Sequence, residues 1–165
     1  MIQESLYKIA GIILCVIMLF VIPTLYSFER QDDIVYNLVN SATNELSQRV
    51  REVGYIDREL YHEYINRLSA TGLSYQVEMS HMEKRYGQNQ GRVEVYYHGY
   101  YQEEIEEYLK GNDRYPMKIG DFFYIKVQNT GRTKGDGLKS MIGIPTSSLP
   151  RIYLKSGGIV RYGGA

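Results

Sequence analysis

Apolar residues fill the start of this chain and then thin into a periodic pattern. From Ile9 to Tyr26 no charged residue occurs. At about 1.5 Å per helical residue, this run of roughly 18 residues gives about 27 Å of helix, close to the ~30 Å hydrocarbon core of a bilayer. The pattern predicts a membrane span over 9–26, built on Ile9, Ile12, Ile13, Leu14, Val16, Ile17, Leu19, Phe20, Val21 and Ile22, with a bend at Pro23, which lacks a backbone donor. A cleaved secretion signal and a buried core helix are the alternatives. The signal fits less well: the N-terminus pairs one lysine, Lys8, with Glu4, and no A-x-A pattern stands before the far flank.

Beyond Ser27 the apolar positions recur at helical spacing: Phe28, Val35 and Ala42 on one row, Val39, Leu46 and Val53 on the next. Polar residues fill the gaps, and no glycine interrupts before Gly54. The expectation is a continuous helix, with 9–26 in lipid and 27–53 an amphipathic stem. The stem's stripe must cover the head domain, a neighbouring stem, or both in succession. Val35, nearer the membrane, is expected to serve assembly, and Leu46, nearer the head, to serve folding.

Residues 54–165 read as a small α+β head. A helix follows Asp57, which can cap it, with Leu60, Tyr61, Tyr64, Ile65 and Leu68 on one face. Tyr75, Val77, Met79 and His81 alternate with polar residues, the signature of a half-buried strand. "EKRYGQNQGR" is expected as a long polar turn, leading into a second strand with Val93, Val95 and Tyr97 inward. A short helix follows, with Ile105, Tyr108 and Leu109 on one side. "DFFYIKVQN" is dense in aromatic and branched residues and predicts a strand. Between Thr130 and Gly143, Leu138, Met141 and Ile142 offer a short helical face. A last strand, "RIYLKSGGIV", is expected to break at Gly157-Gly158. The fold class is α+β: a long N-terminal helix followed by a small antiparallel-sheet head.

Composition narrows the function. Nineteen basic and nineteen acidic residues cancel, which argues against a nucleic-acid partner. The single cysteine, Cys15, lies in the apolar run, so no intrachain disulfide is possible. Tyrosine is abundant, at 17, and suits half-buried sheets and contact surfaces. Lys8 precedes the span and Glu29, Arg30, Asp32 and Asp33 follow it; the positive-inside tendency then places residues 1–8 in the cytoplasm and the head outside.

Catalytic patterns fail when counted out. "GDGLKS" resembles a phosphate loop, but Asp136 stands where the second glycine of G-x-x-x-x-G-K-[ST] belongs. His62-Glu63 begins like H-E-x-x-H, yet position 66 is Asn. His81 and His98 sit on different expected strands with no identified carboxylate partner, a weak metal site. Glu103, Glu104, Glu106 and Glu107 read as a solvated helix face. No catalytic residue, metal or cofactor is expected.

Three stretches, "GYIDRELYHEYINRLSATGLSYQVEMSHMEKRY", "GDFFYIKVQNTG" and "YLKSGGIVR", together with the anchor, resemble Tad-type minor pilin and pseudopilin-like membrane proteins of Gram-positive bacteria, the group related to TadE and TadF. The resemblance implies a membrane-anchored structural component of a pilus or related secretion apparatus. Its partners would be other pilin-like subunits, pilus assembly proteins and membrane lipid. It also implies an assembly role for Glu4, near where a pilin glutamate meets a neighbour's amino group, and for Phe28, Val35, Val39, Ala42 and Leu46 along the stem. The chain departs from type IV prepilins in having no glycine before Glu4, so prepilin-peptidase processing is not expected. The other reading is a single-span receptor or binding subunit with an external ligand domain.

Overall fold

The computed structural model describes residues 2–89, 92–146 and 150–162, leaving aside the side chains of Ile2, Glu4 and Asn89. The expected assembly role of Glu4 therefore lies outside the described side chains. One helix, α1, runs unbroken from Ile2 to Val53 and contains Pro23. The Thr24 hydroxyl donates to the Phe20 carbonyl at 2.6 Å, so its polar group is satisfied within the apolar stretch. The helix stops at Gly54, whose φ of 77° is costly for any residue with a Cβ. The Gly54 N–H still reaches the Val50 carbonyl at 2.9 Å.

The reversal at Gly54 leads into β1 (Tyr55–Asp57), then α2 (Arg58–Ser69), β2 (Tyr75–Asn89), β3 (Arg92–Tyr101), α3 (Gln102–Gly111), β4 (Arg114–Pro116), β5 (Phe122–Asn129), α4 (Lys134–Met141) and β6 (Tyr153–Ile159). Asp57 caps α2, accepting from the Glu59 N–H. Strands β1 and β4 form a two-stranded patch, and the main sheet has the order β3-β2-β5-β6, antiparallel throughout. A long N-terminal helix followed by a small antiparallel sheet is the α+β arrangement expected.

The sheet lies along the stem. Arg151, just before β6, is within 3.7 Å of Asp32 and 3.4 Å of Asp33, while Gly158 at the far end of β6 sits beside Arg51. From Asp33 to Arg51 the helix rises about 27 Å, and from Arg151 to Gly158 a strand covers about 24 Å, so β6 runs nearly parallel to α1. On the inner face, Phe123, Ile125 and Val127 of β5 and Leu154 of β6 are buried with Val39, Ala42, Leu46 and Val50 of α1. Tyr64 and Leu68 of α2 and Ile105 and Leu109 of α3 join the same core.

Five expectations need correction. Most of the polar segment 83–92 is strand: β2 continues to Asn89 and pairs residue by residue with β3 from Arg92. Val93, Val95 and Tyr97 do not point inward; they share the outer face with Lys84 and Tyr86 and are 71%, 48% and 47% exposed. This part of the hairpin runs on beyond Met82, where β2 stops pairing with β5. On α4 the buried residue is Gly135, while Met141 and Ile142 are exposed, as is Tyr108 of α3. Gly157 and Gly158 do not break β6. They lie inside it at φ 159° and 148°, and Gly158 lets the Arg51 guanidinium approach closely.

Candidate functional surfaces: anchor, stem and open sheet

The apolar half of α1 is largely bare. Ile9, Ile12, Ile13, Leu14, Val16, Ile17, Leu19, Phe20 and Ile22 are exposed all round the helix, and none of the most apolar stretch is buried. Val21 is half-buried and Pro23 exposed. A helix of this length and composition near the N-terminus is fit to cross a bilayer once, as a single-pass membrane protein requires. In water, so much bare apolar surface would cost about 25 cal/mol per Å². Cys15 is exposed on the same stretch.

The stem half divides by face. Val39, Ala42 and Leu46 belong to the head's core, Val35 packs partly against it, and Phe28 is half-buried. Val39, Ala42 and Leu46 are therefore committed largely to folding, and Val35 less so. The flank beside this core stripe carries Ile34 and Leu38, one helical turn apart and 57% and 47% exposed. Such residues lie off the main period of the buried stripe. Their separation of four marks them as neighbours on one face.

Where the stem meets the head, its charges are matched. Asp32, 5% exposed, accepts from the Gly135 N–H at 3.1 Å, in the first turn of α4. Helix N-termini attract anions because their first N–H groups lack partners. "GDGLKS" is thus an anion-holding turn whose anion is the chain's own Asp32. A Cβ on Gly135 would come within 2.5 Å of that carboxylate. Lys139 pairs with Glu29, holding the Glu29 carboxyl below its ordinary range.

The head's most buried polar cluster joins residues far apart in sequence. His81 Nε2 is 2.9 Å from Asp121 Oδ2, and His81 Nδ1 is 2.9 Å from the Tyr115 hydroxyl. Asp121 also accepts from the Lys84 and Lys118 N–H groups, at 2.9 and 2.8 Å. His81, Asp121 and Tyr115 are all buried, and Tyr100 stacks on the imidazole. Burial pushes the Tyr115 hydroxyl pKa up. The carboxylate partner that sequence spacing failed to supply is Asp121, but the cluster is closed. Its geometry ties β2, β4 and the turn before β5 together. His98 instead faces Tyr100 edge-on, and His62 lies beside Tyr61. Among the described residues, no three His, Cys, Asp or Glu side chains gather as a metal-ligand set.

The outer face of the sheet is open and aromatic. Lys155 lies over the Tyr124 ring at 4.9 Å and Lys126 over Tyr153 at 5.8 Å, contacts that favour the cation over the ring face. Lys126 also pairs with Glu78. With Tyr101, His98 and Gln102 they line an open concavity of about 750 Å³. At the distal end Lys118 and Arg85 hold the Glu83 carboxyl down to about 2.

No protein-family model matches the chain, and no curated protein or solved structure is significantly similar to it.

Proposed function

We propose that the chain is a membrane-anchored structural subunit of pilin-like type, part of a Tad or type IV-like pilus or a related secretion apparatus, with its head outside the cell. One observation carries the reading: a single helix is bare and apolar over one half and built into the head's core over the other. Such a helix couples the head rigidly to whatever holds the anchor. A lone receptor needs only a span and a linker, whereas a subunit that must keep its head in register with neighbours gains from a stiff stem. The resemblance of the anchor, the α2–β2 segment and the β5 and β6 stretches to Tad-type minor pilins points the same way. Ile34 and Leu38 give the stem a second apolar face for a neighbouring helix.

The test is cross-linking of the full-length chain in its native membrane. Higher-mass species containing this chain are expected, and Ile34→Asp with Leu38→Asp should remove them without lowering the head's melting temperature. A chain that stays monomeric in the membrane would refute the subunit reading. The anchored binding subunit would then be favoured, and the tyrosine- and lysine-lined concavity on the outer sheet face is the observation behind it.

A further inference from the structure

The main sheet has two ends, and they differ. Among the described residues, β3 and β6 are its outer strands, so each has one edge with no strand beside it. Natural edges are blunted by lysine, proline, bulges or shortness. The ten-residue β3, "RVEVYYHGYY", has no lysine and no proline, and Val93, Val95, Tyr96 and Tyr97 are all exposed. The chemistry of such an edge names its occupant: a row of backbone N–H and C=O groups is matched by another extended strand.

The anchor decides which strand of a second copy fits. Strand β6 runs away from the membrane, from the level of Asp32 to that of Arg51. The antiparallel ladder then sends β5 toward the membrane, β2 away and β3 toward it. Two β3 edges paired antiparallel would point their anchors in opposite directions, so two copies held by one membrane cannot pair that way. The β3 of one copy and the β6 of the next are already antiparallel when both anchors point the same way.

Height sets the register. Within one copy, Tyr101 stands level with Gly157 through Ser80 and Tyr124, and Gly99 stands level with Ile159 through Met82 and Phe122. Two copies at equal height would therefore overlap over only residues 99–101 and 157–159. Raising the copy that lends β6 by four residues, about 14 Å, brings all of β6 onto β3. That is the smallest shift that does so. It sets Tyr97 against Gly157, Val95 against Ile159 and Tyr101 against Tyr153, the last two being an apolar and an aromatic pair of the kind that stabilise antiparallel strands.

Resting on the subunit reading above, we propose that the β3 edge of one copy takes the β6 edge of a second copy, antiparallel, with Val95 opposite Ile159 and the second copy farther from the membrane. The pair retains one free edge of each kind, so the contact is heterologous and propagates. A shift of about 14 Å is close to half a bilayer's apolar thickness, so full pairing belongs to copies being drawn from the membrane in succession.

The experiment uses the full-length chain in its native membrane with Cys15→Ser, so that only introduced thiols react. Val95→Cys with Ile159→Cys in one chain should give, on mild oxidation, a ladder of dimers, trimers and longer species. Either cysteine alone should give none. Both positions are about half exposed, so the variants should keep the parent's melting temperature. A dimer from Val95→Cys alone would mean symmetric β3 pairing and would overturn the proposal. A ladder with Gly99→Cys and Ile159→Cys, but not with Val95→Cys and Ile159→Cys, would mean equal heights and overturn it too. Absence of the ladder while the Ile34- and Leu38-dependent assemblies persist would overturn edge pairing and leave the subunit reading intact. Loss of those assemblies in the parent chain would bring down both.

Discussion

Residues 9–26 and residues 35–50 belong to one helix, yet they answer to different solvents. In the first segment every face is apolar and none of its most apolar stretch is buried; in the second one face is buried in the head's core. Both are helical because helix formation satisfies the backbone in either medium. The side chains then sort by what surrounds them. In lipid a protein-buried face confers no hydrophobic gain, so no stripe is needed. In water the stripe supplies the driving force that docks stem on sheet. The boundary lies near Asp32, where the first buried polar side chain meets the N-terminus of α4.

The strongest way to break this comparison is to treat the span as a stem. Arginines at Ile17 and Phe20 should cost about 5–7 kcal/mol of insertion free energy together. The carbonate-resistant fraction should vanish while the head's thermal melt, followed by circular dichroism in detergent, stays where it was. A fall in the melt would mean the span packs on the head after all.

The reciprocal change is Leu46→Ala. Leu46 is 2% exposed among the core residues, and truncating such a leucine costs about 2–5 kcal/mol in transfer and cavity terms. The head should melt well below the parent, and membrane association should not change. Val35, partly packed on the same core, should lose less on the same truncation. Equal losses at both positions would erase the gradient along the stem that the burial describes.

The smallest expected effect sharpens the comparison at the distal end. Glu83 is held down to about 2 by Lys118 and Arg85. A carboxylate with a depressed folded-state pKa stabilises the fold above its unfolded-state value, near 4.5, and that contribution fades as pH falls from there toward 2. Lys118 is largely exposed, so solvent screening keeps the contribution to about 1 kcal/mol or less. Glu83→Gln should flatten the melting temperature's decline across that window. An unchanged pH profile would mean that the pair contributes nothing in solution.

What the sequence determined by itself is what local physics encodes. The uninterrupted apolar run fixes an anchor-length helix. The absence of glycine between Gly11 and Gly54 carries that helix into the stem, and Gly54 ends it in a left-handed turn. Asp57 caps α2, and "DFFYIKVQN" alternates as a strand with one face buried. Alternation also put Val93, Val95 and Tyr97 on one face, but it sets only parity. Which face meets the core depends on which side the helices pack, and these three lie on the other, so they came out exposed. The stem stripe was readable for the same reason that its partner was not: periodicity shows that a face is buried without naming the surface that buries it. Only the tertiary structure could bring Asp32 to Gly135, 103 residues away, or Asp121 to His81, 40 residues away. Those contacts rest on backbone N–H groups and single side chains brought together by distant elements, and a polar residue at such a position looks like any solvated one until the chain closes around it.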